Sequence, residues 1–401
     1  MDRHPGGGTF VVNATHEPIQ EVGLPPSKSH LIRWLLMAAQ SDGVTRITNV
    51  NGAAFDACSM RDALIQLGVR IDVETHTWTV HGVGVDGFSV PTETLDLHNS
   101  GTAFRLLSFA CLRKGEAISI TGDSTLDSRI DRHFWESLGV AVEFPSEQQS
   151  LPLRIQGPFS QDQLSIDGSK TSQHISAILL SMPARKKALD LTIEGDIVSL
   201  RHAQLSFEIA ARCGSENMLG DWHFQPWKCK APSNVDIPFD ASHIAFWKLY
   251  ERLHSTRLQM PFVSPNDSIG AELLQGIDLN KEQVIDLSQA NDLITPLAAA
   301  MALGGGGTIT GASHARHKET NRIEQTAAML ASFSMNVECT MDGLSIQGGQ
   351  LPKSPASTVP TFGDHRMQMT AAVLATKVGA EIEGRELHQV SFPNFQGFLQ
   401  P

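Results

Sequence analysis

The chain is short of cysteine, of cationic charge and of long apolar runs, and each shortage removes a class of function. Its five cysteines (Cys58, Cys111, Cys213, Cys229, Cys339) are scattered, odd in number and never spaced CxxC. That usage fits a reducing compartment and neither a disulfide framework nor a zinc knot, so they read as packing residues. No stretch of about 18 apolar residues occurs, which predicts no membrane span. The opening Met1-Asp2-Arg3-His4-Pro5-Gly6-Gly7-Gly8 lacks the apolar core of an export signal, so the expected location is the cytoplasm. A formal charge of -12, from 31 basic and 43 acidic side chains, argues against nucleic acid as a partner, because a phosphate backbone calls for a basic face. Sixteen histidines include His314 and His317, yet no HExxH and no second carboxylate cluster accompanies them, so no metal is expected. Gly168-Ser169-Lys170-Thr171 is not a P-loop, since Lys does not follow Gly directly and Gln163 stands where the upstream Gly belongs.

What the chain does contain is a repeat. Six short polar clusters each lead into an Ala/Leu-rich helical run: Ser27-Lys28-Ser29, Asn99-Ser100-Gly101-Thr102, Ser169 to Gln173, Asp240-Ala241-Ser242, Asn291-Asp292 and Asp364-His365-Arg366. Four of the five gaps between them are about 70 residues. Helix starts present unpaired N–H groups and a partial positive charge, so six of them predict a site for anionic small molecules. The runs themselves (Leu31 to Ala39, Ala103 to Leu112, Ile175 to Met182, Leu293 to Leu303, Met367 to Ala375) are apolar all round and should be buried, with more amphipathic second helices such as Arg61 to Leu67 and Thr320 to Leu330 outside. Helical stretches should end at Leu67-Gly68, Leu138-Gly139, Cys213-Gly214, Gln275-Gly276, Ser334-Met335 and Gln396-Gly397. Alternating runs such as Val69 to Val73 and Ala117 to Ile120 read as half-buried strands. Six copies of a strand-and-two-helix unit then fill 401 residues, three per domain, with Leu24-Pro25-Pro26 and Ile237-Pro238 as stiff crossings. Gly304 to Gly307 reads as a helix-to-strand turn.

Two clusters carry the chemistry. Lys28, Ser29 and Arg33 put two cations at one helix start, which taken alone is either a solvated basic turn or a seat for a phosphate and a carboxylate. His317-Lys318-Glu319-Thr320-Asn321-Arg322 reads either as a solvated charge run or, because Met329 and Leu330 continue an apolar stripe, as a charged end over a cleft. Asn291-Asp292 reads either as a plain N-cap or as part of the site.

These residues resemble the EPSP synthases (3-phosphoshikimate 1-carboxyvinyltransferases) among the enolpyruvyl transferases, over nearly the whole chain. The motifs are Pro26-Ser27-Lys28-Ser29 with Arg33, Asn99 to Arg105, Thr121-Gly122-Asp123 through Arg129, Gly168 to Gln173, Asp240-Ala241-Ser242, Lys318 to Arg322 and Asp364 to Met367. The resemblance implies an α/β architecture, a two-domain inside-out barrel-like fold with three βαβαββ repeats per domain. Residues 1–26 and 238–401 would form a discontinuous first domain and 27–237 an inserted second one, with the active site in the cleft between them and closure on substrate. It implies transfer of the enolpyruvyl group of phosphoenolpyruvate to the 5-hydroxyl of shikimate 3-phosphate by a monomer without metal or cofactor. Lys28, Gly101, Arg129, Gln173, Arg322 and Arg366 would bind phosphoenolpyruvate. Ser29, Arg33, Thr171, Ser172, Gln173, Ser199, Asp292 and Lys318 would bind shikimate 3-phosphate. Asp292 would be the base, Glu319 the acid, and Lys28 a catalytic cation.

Departures from the family pattern concentrate at these contacts. Val390 stands where a Lys is usual, with His388 as a partial substitute. Leu31-Ile32 replaces a Ser-Asn pair, His202 an aromatic, and Leu106 a Pro. The last change predicts reduced sensitivity to glyphosate, a mimic of phosphoenolpyruvate. An enolpyruvyl transferase with another acceptor and a catalytically silent anion binder are the alternatives. Retention of both Asp292 and Glu319 argues against the silent binder.

Overall fold

The computed structural model describes residues 7–15, 17–264 and 269–400, so Met1 to Gly6 of the N-terminal reading lie outside the described residues. The chain divides into two compact units, Pro26–Ile237 and Met1–Pro25 with Pro238–Pro401. Both crossings fall at the proline-containing steps, where fixed φ and a missing N–H favour an extended connection.

In the inserted unit three helices, Lys28–Gln40, Gly101–Cys111 and Gln173–Ser181, form the interior and pack on one another. Leu31 through Gln40 are all buried in the first. Sheets flank them. One has the order 95–96, 117–121, 153–156, 141–143, parallel at the first pairing and antiparallel after it. That is a βαβαββ repeat, with Gly101–Cys111 as its crossover helix and Arg132–Ser137 as its outer one. In the first repeat the parallel partner of Val44–Thr48 is Asn234–Asp236, so the end of the inserted segment completes its beginning.

The discontinuous unit repeats the plan. Gln283–Asp286, Gly306–Thr310, Leu344–Gln347 and Val337–Cys339 form one four-stranded sheet around the helix Ile294–Leu303, every residue of which is buried. Pro296 is tolerated because it sits in the first turn, where its N–H would have no partner. The strand Thr9–Val12 pairs antiparallel with Ala380–Glu383, which ties the two distant chain segments together. Trp247, Tyr250, Phe333 and Phe395 fill the core of this unit.

The three repeats around Lys28–Gln40, Gly101–Cys111 and Ile294–Leu303 each carry a four-stranded sheet, and the others carry fewer strands among the described residues. No sheet closes on itself there. One local expectation is corrected and one alternative is settled. Gly397 lies inside the helix Phe395–Leu399 and does not terminate one. Asn291 and Asp292 belong to a short 3-10 turn, Asn291–Leu293, whose cap is Ala290, so Asp292 keeps its carboxylate for other partners. Among the described residues, no helix is long and apolar enough to cross a membrane.

Candidate active site

In the inserted unit the helix starts gather the basic side chains. Ser100 caps Gly101–Cys111 by accepting from the Ala103 N–H, and the first turn leaves Gly101 facing two guanidiniums. A β-carbon added at Gly101 would lie 2.8 Å from Arg105 Nη1 and 3.2 Å from Arg129 Nη1, so any side chain here presses on both cations where they now stand. Arg105 donates to Gln173 Oε1 (2.8 Å), to the Gly101 carbonyl (3.1 Å) and to the Arg129 carbonyl (2.7 Å). Gln173 Nε2 donates in turn to Thr102 Oγ1 at 3.2 Å. Burial, reinforced by the Arg129 charge, lowers the Arg105 pKa to about 10, which leaves it charged at neutral pH. Arg129 donates to the carbonyls of Thr125 (2.8 Å) and Asn99 (2.7 Å). Lys28 Nζ lies 2.7 Å from Asp56 Oδ2, and the Ser172 hydroxyl donates to the carbonyl of Ser199, a residue in the left-handed region at φ 52°.

Arg33 behaves differently. Its guanidinium is 1% exposed and donates to Ser206 Oγ (2.7 Å), to the Ser29 carbonyl (2.8 Å), to the His202 carbonyl (3.1 Å) and to Ser176 Oγ (3.5 Å). All four acceptors are neutral. Burial lowers its pKa to about 10, and four of its five N–H groups are already engaged inside the protein.

The discontinuous unit concentrates opposite charges around one residue. Arg322, 1% exposed, donates from Nη1 to Asp292 Oδ1 (2.6 Å), from Nη2 to Glu319 Oε2 (2.6 Å) and from Nε to Asp364 Oδ2 (2.8 Å). Burial by itself would lower the Arg322 pKa. The three carboxylates outweigh it and raise the pKa above its ordinary value. Asp364 is fully buried and also caps the helix His365–Val378, accepting from the Arg366 N–H at 2.8 Å. Arg366 reaches back to the Asp292 carbonyl (2.9 Å), to Asp292 Oδ2 (3.4 Å) and to Ser242 Oγ (3.1 Å). The Asp292 carboxylate thus bridges two guanidiniums while its side chain keeps 29% exposure. Ser242 also donates from Oγ to Asp240 Oδ1 at 2.7 Å. Burial would raise the Asp240 pKa, but the neighbouring His243 and Arg366 hold it below the usual carboxylate range.

The run from His317 to Arg322 is therefore not a solvated face, since Arg322 is interior. Lys318 is half-buried and close enough to His314 to help burial push that imidazole down to about 4. His388 is no substitute for a lysine at neutral pH, because burial pushes its pKa down to about 4 and leaves it uncharged. Within the inserted unit, Gly101, Arg129 and Gln173 come together, as do Ser29 with Arg33 and Ser172 with Ser199. Asp292, Glu319, Arg322 and Arg366 come together in the other. Sequence reasoning gave no role to Arg105, Asp364 or Ser242. Each stands inside a motif quoted above, and the signal was a polar side chain where that motif opens an apolar helical run. His243, which faces Ser391 Oγ through Nε2 at 3.1 Å and Asp240 through Nδ1 at 3.6 Å, had no such signal.

Comparison with known proteins bears on this arrangement directly. A family model described as EPSP synthase (3-phosphoshikimate 1-carboxyvinyltransferase) matches residues 14–248 and 265–399. The 3-phosphoshikimate 1-carboxyvinyltransferase of Methanothermobacter thermautotrophicus is 30% identical, covering 93% of each chain. That of Pectobacterium atrosepticum is 27% identical over 88% of this chain and 89% of its own. Among solved structures, EPSP synthase from Acinetobacter baumannii superposes with a TM-score of 0.76 at 23% identity over 97% of each chain. The enolpyruvyl transferase NikO from Streptomyces tendae superposes with a TM-score of 0.73 at 14% identity, over 98% of this chain and 97% of its own. These last two establish the likeness of fold.

Proposed function

The chain belongs to the EPSP synthase family, and from that premise we propose how its own residues transfer the enolpyruvyl group of phosphoenolpyruvate to the 5-hydroxyl of shikimate 3-phosphate, releasing phosphate. The observation that carries the reading is the Arg322 cluster, which holds two partly exposed carboxylates, Asp292 and Glu319, beside two buried guanidiniums. Two carboxylates at fixed positions separate the acid and base roles.

Asp292 takes the proton of the 5-hydroxyl as its oxygen bonds to C2 of phosphoenolpyruvate, and Glu319 delivers a proton to C3, converting the methylene to a methyl. The ionised Glu319 then takes back a proton from that methyl as the C2–O bond to phosphate breaks, which restores the double bond and expels phosphate, and Asp292 gives up the hydroxyl proton to the departing phosphate. Lys28, Arg129 and Gln173 hold the phosphate and stabilise the charge that develops on it, with Gly101 giving the close approach. Arg322 and Arg366 take the phosphoenolpyruvate carboxylate, for which Asp292 must yield part of the space it now fills between them. Ser29 and Arg33 take the shikimate carboxylate. Thr171, Ser172 and Ser199 take its phosphate, with Lys318 close by. The reading requires both groups of side chains to reach one pair of substrates. It includes a cytoplasmic monomer that works without a cofactor and is a target of glyphosate.

Phosphate release in a steady-state assay with both substrates tests this. No turnover at millimolar concentrations overturns it. One observation favours a second reading, an enolpyruvyl transferase with a different acceptor: Arg33 already spends four of its five donors on the protein. Under that reading, phosphoenolpyruvate binds while shikimate 3-phosphate does not.

A further inference from the structure

A cavity of about 370 Å³ opens in the inserted unit at the C-terminal ends of Gly101–Cys111 and Gln173–Ser181, the ends opposite to Gly101 and Gln173. We propose that it is a second small-molecule site, built for a small aromatic carboxylate. The volume lies at the low end of ligand pockets, which suits a one-ring compound.

Its floor is aromatic. Phe109 and Phe159 meet edge to face with centroids 5.2 Å apart, and the Arg185 guanidinium lies 4.7 Å above the Phe159 ring. A further ring adds to such a cluster through the same quadrupole geometry. The walls are cationic. Arg113, Arg185, Lys186 and Lys187 line the cavity, and no Asp or Glu does, in a chain whose acidic residues outnumber its basic ones. The hydrogen-bond acceptors of both arginines are uncharged. Arg113 donates to the carbonyls of Ala110 and Val85 and to Gln40 Oε1, each at 2.6 Å. Arg185 donates to the carbonyls of Phe159, Gln161 and Lys187. Asp86 and Asp162 act on these two cations only across a distance. Each terminal nitrogen of Arg185 spends one of its two hydrogens on the protein, so one on each is left over for a ligand. A bare phosphate would find the charge but no use for the aromatic floor, and a neutral arene the reverse.

The site is wired to the three central helices. Gln40, the last residue of Lys28–Gln40, donates from Nε2 to the Leu180 carbonyl at 2.9 Å and accepts from Arg113, which itself follows Gly101–Cys111. Arg113 and Gln40 together thus join the C-terminal ends of the three helices whose starts carry Lys28, Gly101 and Gln173.

Calorimetry on the full chain with 4-hydroxybenzoate as probe tests the assignment, and it is read without turnover, so it stands apart from the catalytic reading. We expect one site per chain, binding that shikimate 3-phosphate does not displace, and at least about ten-fold weaker binding of the neutral 4-hydroxybenzamide. Arg185→Gln should weaken the probe roughly ten- to a hundred-fold, the range for one lost charge-assisted contact. Ser160→Trp, at the exposed rim, should block it, with circular dichroism confirming that both variants fold. The proposal is overturned by absence of heat up to about 10 mM, by equal binding of acid and amide, by indifference to both substitutions, or by displacement with shikimate 3-phosphate.

Discussion

Replacing Arg322 by Met should destabilise the discontinuous unit more than loss of a surface ion pair would. The substitution keeps much of the side chain's length and removes the cation that three carboxylates share at 2.6, 2.6 and 2.8 Å. Their exposures rank the damage. The Asp364 side chain is 0% exposed, Glu319 10% and Asp292 29%, so Asp364 has no access to water while Asp292 regains some. Asp364 keeps the backbone N–H of Arg366, and Asp292 keeps the Arg366 side chain, which limits the loss. Stranding a buried charge by removing its partner costs about 3–5 kcal/mol, and we place this variant in that range. With a urea slope of about 2–3 kcal/mol per molar, the unfolding midpoint falls by about 1–2.5 M. Hydrogen exchange across a urea series, read on peptides from 238–400, measures this unit separately from the inserted one. Arg322→Lys retains the charge without the fork that serves three acceptors, so it should recover only part of the loss. As a control, Lys281→Gln breaks an exposed pair with Asp278 and should leave the midpoint unchanged. A midpoint lowered by less than about 0.3 M in Arg322→Met would mean that the three carboxylates do not depend on this guanidinium, and the cluster described above would lose its centre.

Four further outcomes follow from the same geometry. His314 and His388 are held near pKa 4 in the folded chain against about 6.5 when unfolded, so the unfolded state binds more protons between those values and stability falls as pH drops through that window. Each should cost about 2 kcal/mol at pH 5, and His388→Gln should shrink the difference in urea midpoint between pH 7 and pH 5; an unchanged difference refutes this. Glu319→Gln should cut kcat by about 10²–10⁴ while shikimate 3-phosphate binding stays within a few-fold by calorimetry, and retained turnover would exclude Glu319 as the acid. Gly101→Ala pushes a methyl against Arg105 and Arg129 and should raise KM for phosphoenolpyruvate at least about ten-fold, more than for the acceptor; an unchanged KM would show that the guanidiniums move aside without consequence. Leu106→Pro should lower the inhibition constant of glyphosate, although Leu106 is fully buried inside its helix and the proline costs about 3 kcal/mol of stability; equal constants would remove the idea.

The helix starts were legible because each joins two strong local signals, a short polar cluster and an apolar run too long for a strand. Ser100, Asp240 and Asp364 do cap the turns they precede, and the helix Ile294–Leu303 is buried on every side as its composition demands. Asp292 was harder to read. Its sequence position suits a cap, and only the buried guanidiniums of Arg322 and Arg366 show that its carboxylate serves a charge network. Arg33 illustrates a different limit. Ser176, His202 and Ser206 are more than 140 residues away in sequence, and no local pattern marks them as its acceptors. Neutrality of His388 likewise depends on burial, which tertiary packing alone decides.

The strand Thr9–Val12 finds its partner only at Ala380–Glu383, with Thr9 opposite Glu383. On a ribosome working at about 5–20 residues per second, the first strand waits roughly 20–75 s for the last. The inserted segment, contiguous from Pro26 to Ile237, leaves the exit tunnel long before that and has every residue it needs to fold. Nascent chains halted just beyond Ile237 should therefore carry one finished unit and one loose leader. A truncation after Gly379, which removes the final 22 residues and with them Ala380–Glu383, should leave Pro26–Ile237 intact while stripping Thr9–Val12 of the strand it pairs with among the described residues.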